Sequence, residues 1–137
     1  MNENEIEIVP VRARKKPHVW RMVMVMGGAG TTHFTNPDFY EAIVPDWVPG
    51  TKRFWVQASG VAELACAALL IAPRTRRLGG WMTAGTLLTV WTANVQVALD
   101  GGMPDAKPPF NTAAAAWIRL PFQLPMIFDA VRVARYS

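Results

Sequence analysis

Four stretches of mainly apolar residues, each near the length that crosses a bilayer, divide the chain. Spanning ~30 Å of hydrocarbon at 1.5 Å per residue takes about 20 such residues, with roughly 17 the practical minimum. The first stretch runs from about Val19 to Thr35 and carries Gly27, Gly28, Gly30 and His33. The second, Phe54 to Ala72, contains one acid, Glu63, and the third, Leu78 to Leu99, has no formal charge. The fourth, from about Ala113 to Val133, holds Arg119, Pro121, Pro125, Asp129 and Arg132. Proline and charge make it a span only where neighbouring helices shelter it. The pattern predicts an all-α fold, a bundle of four transmembrane helices over residues 18–137.

The connections orient that bundle. Pro73-Arg-Thr-Arg-Arg77 is a tight basic turn, whereas Asn36 to Arg53 and Asp100 to Thr112 are longer and rich in Pro and Gly. Met1 to Pro17 opens acidic and turns basic, and reads as a charged cytoplasmic tail with the first span as an uncleaved anchor. The tail, the basic turn and Arg132 and Arg135 fall on one side, leaving Lys52, Arg53 and Lys107 on the other. Basic residues collect on the cytoplasmic face, so both termini are expected inside a cell (inner) membrane. Lys52 and Arg53 are the discordant feature. Between the first two spans, Phe39, Tyr40, Ile43, Val44, Trp47 and Val48 are expected to form an amphipathic interfacial segment on the headgroups, the alternative being a solvent loop.

Composition agrees with a lipid environment: 51% of residues are hydrophobic and only 18% charged. The net charge of +4 sits beside the apolar stretches and not in a stripe, which argues for membrane topology over nucleic-acid binding. Cys66 is the one cysteine, so no internal disulfide forms and paired-thiol chemistry is excluded; it reads as a packing residue. Gly27, Gly28 and Gly30 suit close helix contact, since no strand precedes them and no phosphate-loop lysine follows. Met22, Met24 and Met26 spread round a helix and are expected to face lipid or fill the core. His18 and His33 fall at opposite faces, and no ligand set for zinc, haem or an iron–sulfur cluster is present. Ser59 lies one turn from Glu63 but without a nucleophile elbow, and reads as a helix contact beside Gly60.

Ionisable groups in hydrocarbon need a partner or a cavity. By helical rise, Glu63 sits roughly 13 Å from the outer end of its span, and Arg119 and Gln123 share a helical face at roughly 5 to 15 Å. His33 and Asn94 fall in the same half, so every span contributes a polar side chain to one level. The expectation is an inward-facing cluster of His33, Glu63, Asn94, Arg119 and Gln123 with a Glu63–Arg119 ion pair at its centre. Two readings remain open: the cluster fastens four helices together, or it lines a pocket for a quinone head group, a lipid or another small polar ligand. A proton path is a third, for which two titratable groups are too few.

Several strings carry a family likeness. Ser59-Gly-Val-Ala-Glu63, the run from Leu69 to Leu78 with Gly80-Trp81, and Ala93-Asn-Val-Gln-Val-Ala-Leu99 resemble the DoxX and DoxX-like family of small four-helix membrane proteins. His33-Phe34, Ile43 to Gly50 and Trp117-Ile-Arg-Leu-Pro-Phe-Gln123 resemble it too, so the likeness covers about Val19 to Arg132. It implies a four-span fold and a subunit or accessory of a membrane redox system, not catalytic on its own, with a redox protein partner and quinone as a possible cofactor. The alternative is a non-catalytic membrane scaffold whose polar cluster is structural.

Overall fold

Each apolar stretch forms one helix. The computed structural model describes residues 18–137, and the charged tail expected over Met1 to Pro17 lies outside them. The long helices are α1 (Val19–Thr35), α3 (Lys52–Ile71), α4 (Arg76–Leu99) and α5 (Ala113–Tyr136), with a short α2 (Pro37–Glu41) after α1. The first runs between the expected bounds, and α3 and α4 begin two residues early, at Lys52 and Arg76. Among the described residues the fold is all-helical, without strands.

Local chemistry sets these ends. The Thr51 and Thr112 hydroxyls accept hydrogen bonds from Phe54 N at 3.3 Å and Ala115 N at 3.2 Å, each satisfying a first-turn donor. Pro73 forces Ala72 into an extended conformation (ψ 125°) and stops α3. Gly102, at φ 111°, turns the chain away from α4 where a Cβ would stand 2.7 Å from the Thr112 carbonyl carbon. Helix α5 continues through Pro121 and Pro125, although each removes a backbone donor. Its flank is covered by α4, whose Trp91 indole donates to Leu120 O at 3.2 Å.

The four long helices form a ring: α1 packs on α3, α3 on α4, α4 on α5, and α5 closes more loosely on α1. That places α3 and α5 diagonally. Glycines let the closest pairs meet. A Cβ on Gly30 would stand 3.0 Å from Gly60 O, and one on Gly60 3.1 Å from Gly30 O, so α1 and α3 touch backbone to backbone. Of the expected contact glycines, Gly27 makes ordinary contact with Ala67 and Gly28 faces open space. One core centres on Met22, Met26, Cys66, Leu70 and Val133 near the tight turn; the other on Val97, Met103, Ala116 and Leu120. Cys66 is fully buried and Met24 points outward, 74% exposed.

Four spans were expected. Among the described helices one, Lys52–Ile71, is long and apolar enough by composition to cross a membrane. Helix α1 is a residue short of that standard at 17, and α4 and α5 are diluted by Gly, Thr, Asn, Gln, Pro and Arg.

The segment from Asn36 to Thr51, expected on the headgroups, covers one end of the bundle. Its apolar residues turn inward over the end of the bundle as a lid, because ring partners are available there. Tyr40 stacks on the His33 imidazole with centroids 3.7 Å apart, and Phe39 meets Phe110 edge-on at 5.8 Å. Trp47 alone of its large side chains stays mostly exposed, at 74%. The discordant cations tie this lid to α3. Lys52 pairs with Asp46 at 2.6 Å, and Arg53 reaches Asp38 at 2.8 Å and Glu41 at 2.5 Å. Trp55 adds a hydrogen bond to Pro49 O at 2.7 Å.

Candidate functional site

The five polar residues singled out by depth line one cavity of about 590 Å³ under the lid. His33 comes from α1, Glu63 from α3, Asn94 from α4, and Arg119 and Gln123 from successive turns of α5. The rest of the wall is mainly apolar, with Val25, Val56, Leu87, Val90 and Met126 from the helices and Phe39, Ile43 and Val48 from the lid. A cavity of this size, apolar with a few convergent polar groups, matches the usual build of a small-molecule site.

The pairing within it departs from expectation, and the Glu63–Arg119 ion pair does not form. Helices α3 and α5 stand diagonally, so the two residues face each other across the cavity and each is held by a neighbour. Arg119 donates to Asn94 Oδ1 at 3.1 Å and to Met103 Sδ at 3.7 Å, with its guanidinium 5.8 Å from the centre of the Phe110 ring. Glu63 Oε2 lies 3.2 Å from His33 Nδ1.

The donor and acceptor inventory fixes both halves. Arginine only donates, so Asn94 presents its oxygen to Arg119 and its amide N–H to Gln123 Oε1 at 3.0 Å. The chain runs Arg119 to Asn94 to Gln123, and it leaves the Gln123 amide donors and further Arg119 N–H groups without a partner among the described residues. In the other half, His33 Nδ1 lies 2.8 Å from Ala29 O. A carbonyl only accepts, so Nδ1 carries hydrogen, and that hydrogen is directed at Ala29. Glu63 Oε2 is left beside the ring with no aligned donor, in a residue only 5% exposed. A buried carboxylate oxygen with an imidazole at 3.2 Å but no hydrogen aimed at it is costly, and the cost marks the site.

Sequence reasoning missed Tyr40, Met103 and Phe110. Tyr40 was assigned to an interface, although an aromatic seven residues after His33 is close enough in chain to fold back on it. Met103 is 1% exposed in a connection whose composition gives no sign of burial, and nothing in the sequence singles out Phe110. Ser59, expected at a helix contact, lines the cavity.

The lid's anchorage is testable. Lys52 holds the Asp46 carboxyl below the usual carboxylate range through its hydrogen bond and charge. That contribution is present above the ordinary carboxylate pKa and is lost as pH falls through the lowered value. The cations at this end are about half exposed, so global stability should hardly depend on them. Arg53→Ala is expected to cost less than about 1 kcal/mol overall, yet to speed amide hydrogen exchange over residues 37–50. Unchanged exchange there would show that the aromatic contacts hold the lid alone.

Comparison with known families corrects one expectation. A family model described as a domain of unknown function (DUF8561) matches residues 22–134. No match is found among curated proteins or among solved structures. The family matched is not DoxX, so that resemblance is set aside. Its strings are small residues at helix crossings, a basic tight turn and Pro-flanked helix ends, features that helix packing imposes on bundles irrespective of descent.

Proposed function

This chain belongs to the DUF8561 family, and we propose that it is a multi-pass membrane protein whose four long helices enclose a binding site for an amphipathic ligand, a lipid or a quinone-like molecule. The observation that carries this reading is the cavity, with its polar groups from four helices and a buried carboxylate oxygen that the protein leaves without a donor. A cluster serving only to fasten helices would satisfy its own groups, whereas the Arg119–Asn94–Gln123 chain leaves the Gln123 amide donors free among the described residues.

Two features support the bilayer. Helices of 17, 20, 24 and 24 residues reach about 26 to 36 Å at helical rise, near the thickness of hydrocarbon. Large apolar side chains also point outward on every one of them, among them Trp20, Val61, Leu88, Ile118 and Phe128, each at least half exposed. A surface so apolar is poorly suited to water. In this reading the tight turn with Arg74, Arg76 and Arg77 shares the cytoplasmic side with the carboxyl end, and the lid lies at the opposite interface. The redox role rested on the DoxX resemblance and is not carried forward.

Native mass spectrometry of the full chain, gently extracted with its lipids, tests the site. Wild type is expected to retain a ligand of discrete mass, and Ala93→Trp, which fills the cavity from α4, to lower its occupancy at least about fivefold, an order-of-magnitude expectation for steric exclusion. Identical unspecific lipid profiles for the two proteins would overturn the reading.

A further inference from the structure

The cavity has two unlike walls, and together they describe a head group. On α5, Arg119 and Gln123 offer hydrogen-bond donors and a positive charge, with no acidic residue within ion-pair distance of Arg119 among the described residues. On α3, diagonally opposite, the Glu63 carboxylate lines the cavity as an acceptor, its Oε2 buried 3.2 Å from His33 Nδ1 with no donor aligned to it. A wholly anionic ligand would satisfy Arg119 and face Glu63 with like charge. A ligand with only acceptors would leave Glu63 as it stands. The complement of both walls is a dipolar head, anionic at one end and carrying N–H donors at the other.

We propose that the ligand is an aminophospholipid, its phosphate held by Arg119 and Gln123 and its ammonium by Glu63; this rests on the cavity being a binding site. A guanidinium matches phosphate oxygens in geometry and charge, and an ammonium supplies hydrogen and positive charge to the Glu63 carboxylate. The Arg119–Asn94–Gln123 chain fixes the phosphate wall, because Asn94 orients both neighbours. His33, held by Ala29 O and stacked on Tyr40, stands 3.2 Å from Glu63 Oε2 without aiming a hydrogen at it. The cavity also has a way out for acyl chains. Val25, Thr89 and Thr92 line it and are exposed, so the cavity communicates with the surroundings.

The test is lipid binding to the purified full chain, read by native mass spectrometry, with three probes of identical acyl chains: phosphatidylethanolamine, phosphatidic acid and diacylglycerol. Wild type is expected to bind phosphatidylethanolamine roughly tenfold or more tightly than either of the others, as one charge-assisted hydrogen bond allows. Glu63→Gln is expected to narrow the margin over phosphatidic acid, which lacks the ammonium. Soluble phosphoethanolamine at equal concentration is expected not to displace the lipid. Phosphatidic acid bound as tightly as phosphatidylethanolamine by wild type overturns the assignment, whatever the fate of the variant, and displacement by soluble phosphoethanolamine overturns the choice of a lipid. If all three probes bind alike, the binding site stands and the head-group assignment falls. If none is retained, the binding-site reading falls and takes this one with it.

Discussion

Replacing Gly80 by alanine is expected to destabilise the bundle by about 1 kcal/mol, while the same change at Gly85 is expected to stabilise it by up to about 1 kcal/mol. Both glycines lie in the same half of α4, so helix propensity favours alanine at each by a similar amount. What differs is what the new methyl meets. At Gly80 a Cβ would stand 2.5 Å from Ala134 N and 2.8 Å from Ala134 Cα, atoms of the α5 backbone that no rotamer change moves aside. Accommodating it means separating α4 from α5 where their backbones meet at Gly80 and Ala134. Overpacking of that kind costs roughly 1 to 3 kcal/mol, enough to outweigh the propensity gain. At Gly85 nothing lies within 4 Å, and only the gain remains. Reversible unfolding of the two variants in detergent micelles, followed by circular dichroism, checks the pair. Stabilisation by both would mean that α4 and α5 do not approach as described.

Why some of this was legible in the sequence and some not follows from the physics of a helix. Helical rise is fixed, so counting residues from the end of each apolar stretch placed His33, Glu63, Asn94, Arg119 and Gln123 at one level, and one cavity contains them all. Helix ends were legible where a single residue decides them, as at Thr112 and at Ala72 before Pro73. Depth carries no information about azimuth or neighbours. By count Glu63 and Arg119 fall at matching heights, yet they stand on helices diagonal in the ring, and the side chains actually beside them are His33 and Asn94. Glycines 27, 28 and 30 look alike in sequence, and only Gly30 sits at the crossing with Gly60. The lid was illegible for a related reason. A segment with aromatics and prolines satisfies an interface and a cavity roof equally, and Phe39 and Tyr40 turn inward only because Phe110 and His33 lie beneath them.

Asn94→Leu is expected to cost about 3 kcal/mol, more than the change in size accounts for. Asn94 is 3% exposed and joins the two ends of the polar chain, accepting from Arg119 and donating to Gln123. Leucine has the same number and branching of non-hydrogen atoms and is bulkier, so no cavity opens. The loss comes from what is stranded: an Arg119 N–H facing a hydrocarbon side chain, and Gln123 Oε1 without its donor. Removing one partner of a buried hydrogen-bonded charge leaves the other's desolvation uncompensated. If that account is right, the damage is not intrinsic to the leucine. Arg119→Met removes the stranded charge, so the double variant Asn94→Leu, Arg119→Met is expected to be more stable than the sum of the two single losses predicts, by about 1 to 2 kcal/mol. A fastening role and a binding role then separate cleanly. The double variant should recover fold stability, measured by unfolding in micelles, without recovering ligand retention, because the donor wall has gone. Additive stability losses would show that Arg119 and Asn94 are not coupled, and restored ligand retention would remove Arg119 from the binding site.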